Sequence, residues 1–195
     1  FNVARFASQF EIPEDLETAP EDLAIEDKWI LAEFNATMDT VKTAWENLDI
    51  YTATQALKTF GTGVLPSHYL EMVKSRLYDD DVAASWTLHR IVRDFMSAFT
   101  PVCPFFTHHI SESIYGKSAV EVHSFPAPAE PSVYLGTEEG DRLRNLSAAV
   151  QTFNGETWNS KKEQGISLNQ PVSGIEIPEE LLGFTAILTR MHHLE

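Results

Sequence analysis

The sequence predicts a mainly α-helical fold, a bundle carrying a small α/β appendage at its C-terminal end. Apolar residues recur at spacings of three and four over most of the 195 residues, the period of a helix with one buried face. Glycine and proline punctuate these stretches where helices should stop or bend. Strand-like alternation is confined to short runs at 120–125, 166–168 and 172–177, too little for a large sheet.

The first helical stretch is FNVARFASQF, with Phe1, Val3, Ala4, Phe6, Ala7 and Phe10 on its apolar side. A chain that opens inside a helical pattern, without Met, is expected to be a piece of a longer protein. Between Glu11 and Asp27 stand eight acidic residues and no Lys or Arg, which predicts an exposed, solvated connector. Ile30, Phe34, Met38, Val41, Trp45 and Leu48 then form one stripe of a long helix, whose acidic start suits the helix dipole. From Tyr51 to Tyr78 a second helical region is interrupted at Gly61-Thr62-Gly63-Val64-Leu65-Pro66, so two helices or one sharp kink are expected. Its second half places Tyr69, Met72, Val73, Arg76 and Leu77 on one side.

Asp79-Asp80-Asp81 supplies an N-cap for a helix over about 82–99. Pro101 and Pro104 break the chain into two helices meeting at an angle, the second ending at Gly116. The segment 126–131, with three prolines, reads as a stiff linker. It separates a bundle over residues 1–126 from a small helix–strand–helix unit over 127–195. In that unit Leu143, Leu146, Val150, Phe153 and Trp158 mark one helix, 159–165 a polar turn, and Pro178-Glu179-Glu180 the start of a last helix. Leu194-Glu195 reads as a tag junction.

Composition narrows the function classes. A net charge of −15 disfavours nucleic acid as a partner for the chain as a whole, but about half of the excess lies in the acidic connector. No run spans a bilayer and no signal peptide is visible. The single Cys103 excludes an intrachain disulfide and suits a reducing compartment; its apolar neighbours predict a buried structural thiol. Adjacent histidines on a helix point about 100° apart, so His108-His109 makes a poor metal pair, and no zinc or phosphate-loop motif is present. These histidines, His123 and His192-His193 read as surface or capping groups. By its motifs the chain is not a catalytic unit.

Six blocks in order carry a family resemblance: Asn2-Val3-Ala4-Arg5-Phe6, Asp27-Lys28-Trp29-Ile30-Leu31, 69–78 (YLEMVKSRLY), the helix Leu88–Phe99 with the corner 100–107 (TPVCPFFT), 114–118 (IYGKS) and Phe125-Pro126. Residues 1–126 resemble the anticodon-binding domain of class I aminoacyl-tRNA synthetases, in the valyl, isoleucyl and leucyl branch. The 69–74 and 115–118 blocks are most similar to valyl-tRNA synthetase of archaeal type, with isoleucyl the runner-up. Trp158-Asn159-Ser160-Lys161-Lys162 and Leu168-Asn169 resemble the valyl-type tail. Gly61-Thr62-Gly63 and His108-His109 depart from the family pattern. The HIGH-like and KMSKS-like motifs of the ATP-binding domain are absent, as in a fragment downstream of them.

The resemblance implies a helical bundle that holds the anticodon stem-loop of a tRNA, valine-accepting first, while a catalytic domain elsewhere uses ATP, with magnesium, to attach valine. The fragment itself is then expected to carry no cofactor and no metal, and to be cytoplasmic, monomeric and unattached to membrane. Its implied RNA-binding residues are Asn2, Arg5 and Phe6 on the first helix and Lys161 and Lys162 at the basic helix end. Arg5 and the lysines suit phosphates or base edges, and Phe6 either stacks on a base or packs in the core. Lys74 and Arg76 are weaker candidates because Asp79–Asp81 offer them partners. The Arg90–Pro126 corner is expected to pack, not to touch RNA. The same role in an isoleucyl- or leucyl-tRNA synthetase is the alternative. An acidic helical protein-interaction module with a contiguous apolar patch is the reading from another class.

Overall fold

In the computed structural model the strong 3.6 periodicity of Val82–Phe99 becomes the central helix. The structure describes residues 1–117 and 137–195; the strand-like run at 120–125, the linker at 126–131 and the boundary after 126 lie outside them. Helices run α1 (Asn2–Ala7), α2 (Ile25–Glu46), α3 (Ile50–Thr59), a π-helical segment (Phe60–Tyr69), α4 (Leu70–Tyr78), α5 (Val82–Phe99) and α6 (Pro104–Tyr115). After the undescribed stretch come α7 (Thr137–Asn145), α8 (Ser147–Glu163), a 3-10 turn (Glu179–Phe184) and α9 (Thr185–His192).

The core runs between α2 and α5. Trp29, Ile30, Phe34, Met38 and Val41 of α2 meet Trp86, Leu88, Ile91, Val92 and Met96 of α5, all buried. Each such side chain stabilises the fold by roughly 1.5–3 kcal/mol before chain entropy is counted. The α2 stripe stops sooner than the spacing suggests. Its last helical residue is Glu46, and Leu48, at φ 58°, is 84% exposed.

The glycine-proline interruption does not end the helix. Residues 60–69 widen to π-helical turns, which take in Pro66 and join α3 to α4. A π bulge spends an extra residue per turn and frees the chain from the i−4 clash that proline makes in an α-helix. Gly61 has a packing reason: a Cβ there would lie 2.6 Å from Cζ of Phe95. Beyond α5, Pro104 occupies the first turn of α6, and Gly116, at φ 64°, caps its end in the left-handed region.

The acidic connector is not simply solvated. Ser85, His89 and Arg93 of α5 line up one turn apart and, with Arg90 beside them, hold its backbone and side chains. Ser85 Oγ donates to the Glu11 carbonyl (2.6 Å), and His89 Nε2 lies 3.3 Å from the Phe10 carbonyl. Arg90 Nη1 donates to the Leu16 carbonyl (2.8 Å) and to Glu17 (2.9 Å), while Arg93 takes the other Glu17 oxygen at 2.7 Å. Asp94 bridges the two guanidinium groups at 2.7 and 3.0 Å. Tyr115 of α6 donates to the His89 carbonyl, tying α6 to the same ladder.

A second ionic knot joins three elements. Arg76 of α4 donates to Glu26 (3.0 Å) and Asp27 (2.7 Å) in the first turn of α2 and, in bidentate fashion, to Asp81, the N-cap of α5 (2.9 and 3.1 Å). Tyr69 donates to the other Asp27 oxygen at 2.9 Å, and Asp27 accepts from the Ala24 N–H at 3.1 Å. Glu26 and Asp27 are buried, so the acidic start of α2 belongs to the core and not to the connector. Burial pushes the Asp27 carboxyl up to about 6, against the pull of Arg76. Burial opposes the Arg76 charge too, but the hydrogen bonds it donates to Asp81 and Asp27, with the charges of Asp27 and Glu26, outweigh it and raise its pKa.

The C-terminal unit contains no strand among the described residues. Segments 166–168 and 172–177 are irregular; one parallel bridge pairs Val172 with Leu194. Among the described residues these short apolar runs have no strand beside them to pair with, and of their residues only Val172 is buried. Leu194 and Glu195 take part: the Glu195 N–H donates to the Val172 carbonyl at 3.1 Å. The single helix expected over Leu143–Trp158 is two, α7 and α8, and α8 continues to Glu163 through the stretch read as a polar turn.

Arg76→Met leaves three carboxylates facing one another and should destabilise the fold by about 3–5 kcal/mol in urea unfolding at pH 7. A carbon-13 titration should find the Asp27 carboxyl with a midpoint near pH 6. Because this folded-state pKa lies above the unfolded value, the contribution is complete below about pH 4 and is lost as pH rises through 6. A midpoint at or below 4 would show that the carboxylate is not desolvated.

Candidate nucleic-acid interface

Helix α1 lies on α5 through Ala4 and Ala7, whose small side chains let the two backbones approach. That contact turns Asn2 and Arg5 to solvent. Arg5 makes no ion pair with any described residue. Phe6 is half-buried, with its ring edge-on to Phe10 (5.0 Å between centroids) and Tyr78 (6.4 Å). It is a packing residue first, and the exposed aromatic of that trio is Tyr78, at 60%.

On the other flank of α1 a groove of about 190 Å³ opens between α1, α3, the π segment, α5 and α6. Phe1, Phe95, Phe99 and Phe106 supply flat apolar walls, and Lys58 and Thr62 supply its polar lip. Lys58 is exposed and, like Arg5, pairs with no described acid. Sequence reading passed over Lys58 because its partners in the groove come from residues 1–4 and 92–106, far from it in the chain. The only local signal was its place one residue beyond the buried Leu57 on an otherwise neutral face.

The basic end of α8 splits into two roles. Lys162 is exposed, whereas Lys161 is fully buried. Lys161 Nζ donates to the Leu168 carbonyl at 2.8 Å and to the Gln170 carbonyl at 2.6 Å, and burial pushes its pKa down. Its ammonium faces the protein and is committed to two carbonyls, so it offers nothing to a phosphate in this arrangement. Adjacent residues on a helix point about 100° apart, so a KK pair at a helix end had to divide in this way. Sequence could not say which lysine goes inward.

Lys161 completes a polar seam on α8. Asn154, Thr157 and Lys161, spaced three and four apart, are all buried. Asn154 Nδ2 lies 3.1 Å from His68 Nδ1 in the π segment, and its Oδ1 lies 2.8 Å from His192 Nε2 in α9. The pairing assigns an Nε2–H tautomer to His192 and an acceptor Nδ1 to His68. Trp158 stands beside both imidazoles at 5.6 Å between ring centroids. His192, expected at the surface, is therefore a core residue. Burial first, then the charges of Lys161, His193 and His68, push its pKa down to about 4; burial also lowers His68.

The remaining candidates are accounted for locally. Arg76, Arg90 and Arg93 are held in the two ionic networks above, and Lys74 lies 3.6 Å from Glu71. His108 lies 3.6 Å from Glu112, and Cys103 is partly exposed rather than buried, because the proline corner turns it to the rim. Among the described residues no three His, Cys, Asp or Glu side chains converge as metal ligands, and no helix is long and apolar enough to cross a membrane.

Residues 27–177 match a family model described as the anticodon-binding domain of tRNA ligase. A valine–tRNA ligase of Saccharolobus solfataricus is 32% identical over 174 residues, 89% of this chain and 20% of that protein. One of Methanothrix thermoacetophila is 36% identical over 159 residues, 80% of this chain and 17% of that protein. One of Haloarcula marismortui is 28% identical over 194 residues, 98% of this chain and 20% of that protein. The chain thus spans about a fifth of the length of these curated relatives.

Asn154→Ala should cost about 1–3 kcal/mol in urea unfolding at pH 7, because it strands two imidazole nitrogens. The fold keeps His192 neutral, so its contribution is complete above about pH 6.5 and is lost as pH falls through about 4, a swing of roughly 3 kcal/mol. His192→Gln retains a donor toward Asn154 and should abolish that swing. Identical pH dependence in the variant and the unaltered chain would contradict the assignment.

Proposed function

This chain belongs to the family of anticodon-binding domains of tRNA ligases, and on that basis we propose that it holds the anticodon stem-loop of a valine-accepting tRNA. Support for valine comes from the archaeal relatives, which are valine–tRNA ligases. The observation that carries the reading is the pairing, on an acidic protein, of unpaired cations with flat exposed surface around α1. Arg5 and Asn2 stand on one side of that helix, and Lys58 with the Phe1 and Phe106 rings on the other. RNA loops are read through unstacked bases lying on flat side chains, while cations hold the phosphates and fix the register. Lys162 at the end of α8 supplies a further phosphate contact, and Phe6 backs α1 from within.

The parent protein, in this reading, is a cytoplasmic, monomeric enzyme whose separate catalytic domain uses ATP with magnesium to attach valine to the same tRNA. Residues 1–126 form the main anticodon-binding bundle, and 127–195 a small unit docked on it. Such a division suits a long tRNA: one region grips the loop and another performs the chemistry at the far end. The competing interaction-module reading draws on the exposed Leu48, Ile50 and Tyr51 at the α2–α3 turn. That patch would suit a protein partner.

Arg5→Ala and Lys162→Ala should each weaken binding to a valine-tRNA transcript. Each should also lower the slope of log K against log salt by about 0.7–0.9, the loss of one phosphate contact. Unchanged affinity and slope across the salt series would remove those residues from the interface. No affinity at low salt in the unaltered chain would favour the protein partner.

A further inference from the structure

The turn that follows α8 is closed from three directions. The Ser167 N–H donates to Gln170 Oε1 at 3.0 Å, and the Gln170 N–H donates to the Ser167 carbonyl at 2.9 Å. Beneath it, the Lys161 ammonium holds the Leu168 and Gln170 carbonyls, the two that flank Asn169. A lysine buried to 0% exposure is a costly way to fix a surface turn, and a four-residue turn needs no such clamp to form. What the clamp achieves is presentation. Both clamped carbonyls point inward, leaving the side chains of Leu168 (53% exposed) and Asn169 outward, on the segment that leaves the Lys162 end of α8.

We propose that Lys161 is a positioning residue for RNA, and that the turn 167–170 is a second recognition element beside Lys162. Asn169 offers a carboxamide that donates and accepts, the chemistry that reads the edge of an unstacked base. Leu168 offers an apolar surface to its face, and Lys162 takes the neighbouring phosphate. Held on two carbonyls, the turn meets the RNA already ordered, so little entropy is lost when contact forms. The direction of the Lys161 pKa agrees with an ammonium that serves the interior. The proposal rests on the tRNA reading above and assigns roles within it: Lys162 contacts, Asn169 and Leu168 read, Lys161 orders.

The test uses the whole 195-residue chain and a valine-tRNA transcript over a salt series, with amide hydrogen exchange on the free protein. Lys161→Met should weaken binding about tenfold and speed exchange at residues 168–170, with the salt slope unchanged. Lys162→Met should lower the slope by about 0.7 and leave exchange unaltered. If Lys161→Met fails to fold, Leu168→Ala/Asn169→Ala, a change at exposed positions, should give the same tenfold loss with helix content intact. A Lys161→Met variant whose slope falls by about 0.7 with exchange unchanged would make Lys161 a direct phosphate ligand and overturn the proposal. Wild-type affinity in the double alanine variant would overturn it as well. Absence of tRNA binding in the unaltered chain is a distinct result: it overturns the tRNA reading itself, and the role of this turn with it.

Discussion

The Arg76 guanidinium joins the start of α2, the body of α4 and the start of α5, and the bundle cannot be assembled without bringing those three together. Its partners are acids already required at helix N-termini, where the dipole favours them. The same carboxylates that start two helices therefore also fasten them. Burial makes this arrangement all-or-none. Two buried acids and the partly exposed Asp81 are tolerable with the arginine among them and not without it. The π segment belongs to the same knot: it ends on Tyr69, which donates to Asp27, and it begins beside Gly61, where a Cβ would meet Phe95 of α5.

Two polar devices then place the rest of the surface. The ladder of Ser85, His89, Arg90 and Arg93 holds the acidic connector along α5 and so fixes where α1 can lie. On the buried seam of α8, Asn154 holds that helix to the π segment and to α9, and Lys161 holds it to its own following turn. Both use buried polar groups where apolar packing would serve stability alone. The return is a single register between cationic side chains that lie far apart in sequence. Acid affects the two halves in opposite senses. Between about pH 4 and 6, protonation favours the folded state through Asp27 and disfavours it through His192, by roughly 3 kcal/mol each.

Much of the fold was legible in the residues. The helix periods, the Asp81 cap, the proline corner and the inward face of α4 follow from local chemistry, and the structure has them where the spacing placed them. Less legible was every feature that depends on a distant partner. The acidic start of α2 looked like solvated charge until Arg76, fifty residues away, was brought to it. Lys161 looked like its exposed neighbour because sequence carries no mark of which lysine finds two carbonyls. The short alternating runs near the C-terminus looked like strands but have no strand beside them among the described residues. Lys58 and the aromatic groove were invisible since elements far apart in the chain build them.

Recognition of the anticodon stem-loop is tested most directly by hydroxyl-radical footprinting of a valine-tRNA transcript bound to the 195-residue chain. Protection confined to the anticodon loop and the adjoining stem is the expected result, with the acceptor arm as reactive as in free RNA. Protection centred on the acceptor arm, or none at concentrations that saturate binding, would contradict it.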